Sequence, residues 1–342
     1  MKMKIVIATI LLFNIAFNSL GGEPVPDWNF VERKKTVVKL FDVRPGEKLS
    51  IDNRHGDVQV LLWNKPSIRI DITITANAPT EARVNEVLNS VSIIEKQSVD
   101  QIEVRTAISA AGARIQWPGR RGENSLRIDY KIQMPENTPL QLKNSFGDTE
   151  IAKFMAPLVV ETQYGTFRAN DLDNGDNTII VQFGSAQIGQ MRSGKLESRY
   201  SEVKLDKVKV LELINKFGSL QIGEVASLNA DIGYAGTKIG TLKESGVVKL
   251  NFANGFFINQ STAENIDIQA SYSSVVLPAQ APAKFDVSVT YGNFQYPAKA
   301  PVTFIRQPGP SRTKQYEGLI GHDDPRSTIR VISKYGNVKL KE

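Results

Sequence analysis

Between residues 140 and 340 the chain repeats a short phrase of alternating polar and apolar positions that closes on an aromatic residue followed by a small one. Leu211, Leu213 and Asn215 lead to Phe217-Gly218, Phe285, Val287 and Val289 to Tyr291-Gly292, and Ile266, Ile268 and Ala270 to Tyr272-Ser273. Polar residues such as Glu212, Lys216, Asp267, Gln269, Asp286 and Ser288 fill most places between. Period two marks a half-buried strand, and continuing it as far as the aromatic puts that ring on the inner side. Past the pair, the apolar positions fall three and five residues on, as Leu220 and Ile222 or Val203 and Leu205. The parity has changed, so the chain must turn or bulge at the small residue, where glycine is the least costly choice.

The pair recurs with Phe146, Tyr164, Phe183, Tyr200, Phe217, Tyr234, Phe252, Tyr272 and Tyr291, at intervals of 18, 19, 17, 17, 17, 18, 20 and 19 residues. His55-Gly56 in "IDNRHGDVQV" and Tyr335-Gly336 in "IRVISKYGNVKL" extend the series to a first and a last copy. A propeller blade needs about 40 residues, and a meander of hairpins needs two-residue turn signals that are mostly missing. The pattern therefore predicts an all-β fold, a parallel β-helix or β-solenoid of about 17 to 20 residues per coil, in which equivalent residues stack about 4.8 Å apart. Phe217→Ala is then expected to cost ~3 to 5 kcal/mol, as for a buried ring. Small polar residues two before the aromatic, at Asn53, Asn144, Thr162, Ser198, Asn215 and Ser333, are expected to line the interior as a hydrogen-bonded column.

Two insertions interrupt the array. Residues 35–65 give the first strands and coil, and 66–134 read as a small α+β cap over the open first coil. Within that cap "SIRIDITITA" is a strand, and Val84, Val87, Leu88 and Val91 form a helical stripe after Pro79-Thr80. Further strands are predicted around 91–94, 102–105 and 126–134. The coils occupy 135–342, with a Pro- and Gly-rich stretch at 297–325 that reads as a long loop over the far end.

Composition adds an address. Lys2 and Lys4, an apolar run from Ile5 to Phe17 and small residues at Ser19 to Gly22 read as a secretory signal over residues 1–22, too short to span a bilayer comfortably. No cysteine occurs, which excludes a disulfide framework. The formal charge of +6 over 342 residues includes those two lysines, and so mild a balance does not argue for nucleic acid. No later apolar stretch is long enough for a transmembrane helix, so the expected location is the periplasm, the outer-membrane surface or the exterior, with anionic glycan or headgroups the natural partners of a basic surface.

The segments "FDVRPGEKLSIDNRHGDVQV", "LRIDYKIQMPENTPLQLKNSFGDTEI" and "ETQYGTFRANDL" together resemble the bacterial putative-adhesin family of cell-envelope proteins, over roughly residues 35–342. The resemblance implies an exported β-helix-like domain and brings no catalytic motif. The Ser and Ala replacements of the glycine in several copies depart from a uniform corner.

Candidate chemistry is sparse. With only His55 and His322 and no cysteine, a zinc site of ordinary composition is not expected, nor is any other cofactor. Asp171, Asp173 and Asp176 cluster around Asn174-Gly175 as a weak calcium candidate. Gly175 is fifth from Asp171 rather than sixth, however, no closing acid follows, and a return turn uses the same residues. Outward acids at Glu150, Glu161, Glu197 and Glu212 are the positions where a polysaccharide-acting enzyme would carry its carboxylates. Arg168 is expected beside Glu150, and Ile180 between Glu161 and Glu197. Arg114, Trp117, Arg120 and Arg121 in "GARIQWPGRRGEN" suit sugar rings and anionic groups and are the candidate ligand-binding residues. Together these readings favour a non-enzymatic, adhesin-like or scaffold protein of the envelope that binds glycan or surface partners. A polysaccharide lyase or hydrolase on the same fold, or a protein that assembles end to end, are the alternatives.

Overall fold

The structure is a computed structural model and describes residues 30–109, 125–279, 281–298, 300–322 and 324–341. The signal-like segment and the arginine-tryptophan stretch at 110–124 lie outside the described residues. Among the described residues all strands join one mixed sheet, and one helix is present. The fold is all-β.

Through its middle the sheet is parallel and built in layers, each named here by its corner aromatic. In the Tyr200 layer, Glu202–Lys216 pairs along its length with Ser185–Arg199 before it and Ser219–Gly233 after it. Val203, Leu205, Val208, Leu211, Leu213 and Asn215 are buried while most residues between them are exposed. Two shifts of parity, before and after Val208, mark a bend that divides each long strand into two inward-facing runs. Leu220, Ile222, Val225, Leu228, Ala230 and Ile232 repeat the same spacing in the next layer, so stacking continues the core without a gap.

Phe217 does not fill that core, which corrects the inward placement of the rings. The eleven corner residues from His55 to Tyr335 all have positive φ, between 50° and 64°. A left-handed residue breaks the period-two alternation, and the ring that parity would carry inside stands outside, with 44% exposure at Phe252 and 52% at Tyr200. Left-handed geometry costs a residue with a Cβ about 1 to 2 kcal/mol, and stacking on a ring in each adjacent layer offsets it at about 0.5 to 1.5 kcal/mol per pair.

Glycine follows the ring because of a close approach rather than its φ. A Cβ on Gly147 would lie 2.0 Å from the Gly56 carbonyl oxygen, and one on Gly165 2.0 Å from that of Gly147. Where serine replaces glycine, its hydroxyl takes up a backbone amide of the preceding layer. Ser201 Oγ accepts from Gly184 N at 3.2 Å and Ser273 Oγ from Ala253 N at 2.9 Å. The corner therefore keeps its geometry at these replacements.

Both ends depart from sequence order and from parallel pairing. Lys48–Arg54 and Val58–Trp63, the strands on either side of His55, lie between the Phe146 layer and an outer layer made by Gln101–Ile108 and Ser125–Pro135. At the far end Ser327–Lys334 and Val338–Lys341 lie between the Tyr272 and Tyr291 layers. Tyr335 is thus not the terminal copy, and the ring order is Tyr272, Tyr335, Tyr291. Antiparallel strands close the two ends. Val31–Asp42 pairs with Ser67–Ala78, which pairs with Ser125–Pro135, and Val91–Gln97 pairs with Gln101–Ile108. The stretch read as a loop at 297–325 instead carries Val302–Arg306 and Thr313–Ile320, the latter pairing with Ala283–Thr290. The helix is Glu81–Asn89, capped by the Thr80 hydroxyl and burying Val84, Val87 and Leu88, while Val91 already belongs to the next strand.

Candidate functional site

The most extended surface feature is the row of corner rings. From His55 to Tyr335 and Tyr291 each ring stacks on the next with centroids 4.6 to 5.2 Å apart and planes within 13° of parallel. Each ring is held by its own amide, which donates across the layers; Phe217 N reaches Gly233 O at 3.1 Å and Tyr200 N reaches Lys216 O at 3.0 Å. The faces of the inner rings are occupied by their neighbours. What the row offers outward is a ridge of ring edges, with tyrosine hydroxyls at Tyr164, Tyr200, Tyr234 and Tyr272 and phenylalanine between them.

A chain of aspartates flanks the ridge at its N-terminal end. Asp129 Oδ1 accepts from the Asp57 amide, Asp57 Oδ1 from the Asp148 amide, and Asp148 Oδ1 from the Thr166 amide, each at 2.8 Å. Arg127 bridges Asp57 at 2.6 Å and Asp129 at 2.8 Å, and Arg168 pairs with Asp148 at 2.7 Å. Burial disfavours ionisation of Asp148, but the Arg168 guanidinium and the Thr166 amide outweigh it and hold the carboxyl below its ordinary value. Half-burial, reinforced by the neighbouring Arg54 charge, pushes the His55 imidazole below its ordinary value. These groups lock layer to layer, and both oxygens of each carboxylate accept from an amide or an arginine.

Behind the corner the expected polar column forms only in part. Asn53 Nδ2 donates to Asn144 Oδ1 at 3.2 Å and to Ile128 O at 3.0 Å, and Asn144 Nδ2 donates to Gly56 O and Asp148 O, both at 3.1 Å. Thr106 Oγ1 donates to Asn53 Oδ1 and is 2.9 Å from the hydroxyl of Tyr130, whose pKa burial pushes up to about 12. Ser333 Oγ donates to Gly336 O at 3.2 Å. By contrast Thr162 Oγ1, Ser198 Oγ and both amide atoms of Asn215 are buried with no hydrogen-bond partner among the described residues. The column therefore breaks in the middle of the stack.

The outward acids fall in the rows expected of them. Arg168 stands beside Glu150, and Ile180 separates Glu161 from Glu197. Glu197 and Glu212 do not meet: Glu197 pairs with Arg199 at 2.7 Å and Glu212 with Lys195 at 3.3 Å, while Glu161 pairs with Lys143 at 3.0 Å. Of the weak calcium candidate, Asp173 pairs with Arg192 at 2.9 Å, the Asp176 amide donates to Asn174 Oδ1 at 2.7 Å in a turn, and Asp171 lies in register with Lys153 and Gln190. Among the described residues no three His, Asp or Glu side chains converge as a metal site. Arg114, Trp117, Arg120 and Arg121 lie outside the described residues. Sequence reasoning missed the ridge, although its signal was present in the strict Phe/Tyr alternation.

No protein-family model matches the chain, and no curated protein sequence matches it. Among solved structures it is similar to a putative adhesin from Parabacteroides distasonis, at 10% identity over 90% of this chain and 97% of that one, with a TM-score of 0.34. It is also similar to a putative cell adhesion protein from Clostridium sporogenes, at 13% identity over 90% and 100%, with a TM-score of 0.20. A putative lipid binding protein from Parabacteroides distasonis matches at 11% identity over 91% and 97%, with a TM-score of 0.27. Adhesins, each described as putative, predominate among these neighbours. At such identities and scores no residue role passes from them to this chain.

Proposed function

We propose that the chain is a β-solenoid of the bacterial envelope, exported and non-enzymatic, that binds glycan or surface partners as an adhesin-like scaffold. The observation that carries this is the ridge: an unbroken, half-exposed stack of rings running the length of a layered sheet, a rigid surface on which many weak contacts add. A ridge without a cleft suits adhesion better than turnover, and Glu161, Glu197 and Glu212 are each engaged by a lysine or arginine. Nucleic acid is disfavoured on a separate ground, since bases stack on open ring faces and those of the inner rings are taken. Against end-to-end assembly, the edge strand Val31–Asp42 carries the exposed charges Glu32, Arg33, Lys34 and Lys35, which discourage strand addition. Among the described residues no helix is long and apolar enough to cross a membrane.

The test is a glycan array and an envelope-fraction pulldown with the chain lacking residues 1–22, alongside Trp117→Ala and Arg120→Ala. The account expects surface binding that rises steeply with protein density on the support. Equal binding by all three proteins assigns it to the layered body rather than the 110–124 stretch. Absence of binding to any glycan or envelope fraction contradicts it.

A further inference from the structure

We propose that the tyrosine edges of the ring stack form a rail for an extended, neutral β-1,4-linked glycan, with one disaccharide lying along every two layers. The proposal deepens the surface-binding reading and rests on it.

The alternation is the first argument. From Phe146 to Tyr272 phenylalanine and tyrosine exchange at every layer, so the hydroxyls of Tyr164, Tyr200, Tyr234 and Tyr272 recur at about 10 Å, two ring spacings of 4.6 to 5.2 Å each. Folding does not require it. Phenylalanine and tyrosine stack at the same distances, and among the described residues none of these four hydroxyls has a hydrogen-bond partner. A hydroxyl that the fold does not use is free to donate to and accept from a ligand.

The closed faces are the second. A pyranose cannot lie flat on a ring whose two faces are covered, so a ligand must run along the ridge and be held at the ring edges. An extended β-1,4-linked chain turns the same edge of its sugars to one side at every second residue, and that disaccharide repeat is close to the two-layer spacing. An α-1,4 chain coils and a β-1,3 chain curves, and neither keeps this period on a straight row.

The flanks are the third. Thr166 and Ser185 lie on one side of Tyr164 and Phe183 and Gln163 and Gln182 on the other. These neutral groups hydrogen-bond along each row, Ser185 Oγ to Thr166 Oγ1 at 3.1 Å and Gln163 Nε2 to Gln182 Oε1 at 3.2 Å, and keep further donor and acceptor capacity. Beside Tyr200 and Phe217 the same rows carry Arg199, Lys216 and Glu202, each paired: Arg199 with Glu197 and Lys216 with Asp231 at 2.7 Å, and Glu202 with Lys204 at 3.7 Å. The rail therefore offers hydroxyl and amide chemistry beside paired charges of both signs rather than a one-sign field for an anionic polymer.

The test uses the whole chain without residues 1–22, titrated calorimetrically with cellohexaose and chitohexaose, with the matching disaccharides, and with maltohexaose and laminarihexaose. The triple variant Tyr164→Phe, Tyr200→Phe, Tyr234→Phe keeps every ring and removes three hydroxyls. The expected result is a β-1,4 hexaose binding at least about tenfold tighter than its disaccharide, a loss of about tenfold in the triple variant, and an unchanged thermal midpoint. Equal binding by the triple variant, equal binding of the maltose or laminarin series, or no hexaose binding overturns the rail. If the triple variant still binds the array, the surface-binding function stands and the rail alone fails. If hexaoses bind as described but no array or envelope surface does, the rail stands and the adhesin-like reading fails.

Discussion

The middle of the stack and its two ends use the same strands in different order. Between Ser185 and Asn251 every layer pairs with its neighbours in sequence, so each contact is short in the chain and each layer is clamped on both sides. At the ends the first and last corner layers, those of His55 and Tyr335, are threaded inward between layers that belong elsewhere in sequence. A stack built in simple order would leave its terminal strands paired on one edge only, and such edges fray and invite addition. Threading gives both segments two partners, and the exposed edges pass to strands that are charged or antiparallel. Layered repetition thus supplies the ridge, and the reordered ends hold its length.

Substitution at a corner glycine should have the largest effect on the stack. Gly165→Val places a side chain where even a Cβ meets the Gly147 carbonyl oxygen at 2.0 Å, and denaturation should show a loss of about 4 kcal/mol or more. Gly236→Ala, with nothing within 4 Å of the added carbon, should shift stability by less than about 0.5 kcal/mol. Similar losses in the two variants would mean that the layers are not as close as described.

A ring in the middle is worth less than its size suggests. Phe217→Ala should cost about 1 to 3 kcal/mol, the two stacking contacts with Tyr200 and Tyr234, rather than the ~3 to 5 expected of a core ring. The polar column separates end from middle at a similar scale. Asn144→Ala strips hydrogen bonds from the N-terminal layers and should destabilise by about 1 to 3 kcal/mol, whereas Asn215→Leu removes two unpartnered polar atoms and should be neutral or stabilising. Chemical denaturation of the two variants reads this opposition directly.

Acid should touch the N-terminal end first through His55, because carboxylates held below their ordinary values occur both at that end and, at Glu224, in the middle of the stack. Asp148 and Glu47 both ionise below their ordinary values; a hydrogen bond from the Arg44 amide, 2.7 Å away, holds the Glu47 carboxyl down. Groups with depressed folded pKa values contribute stability at neutral pH and lose it as pH falls through their folded values, below about 4. His55, also depressed, adds a loss that begins as pH falls below about 6.5. In a variant with Trp28 and Trp117 replaced by phenylalanine, the fluorescence of Trp63 against tyrosine fluorescence of the ridge, followed through an acid titration, should show the N-terminal signal moving first.

Register was the most legible part of this structure. A fixed interval and period-two alternation suffice to place Arg168 beside Glu150 and Ile180 between Glu161 and Glu197, because parallel stacking leaves no freedom once one row is aligned. The direction of the rings was not legible, since alternation alone carries Phe217 inward, and only a sign change in φ reverses it. The parity shift that leads to Leu220 was the available clue. Nor could the order of the end layers be read, because the edges of equivalent strands are nearly interchangeable. The strands at Val302–Arg306 and Thr313–Ile320 were hidden by the prolines and glycines around them.

Hydrogen exchange at single-residue resolution tests most directly the claim that a threaded layer at each end holds the ridge. The amides of Ser327–Lys334 and Lys48–Arg54 should exchange as slowly as those of Ser219–Gly233, while those of the edge strand Val302–Arg306 exchange faster by orders of magnitude. Fast exchange throughout Ser327–Lys334, with Ala283–Thr290 still protected, would show that the last layer is not clamped and would contradict the account.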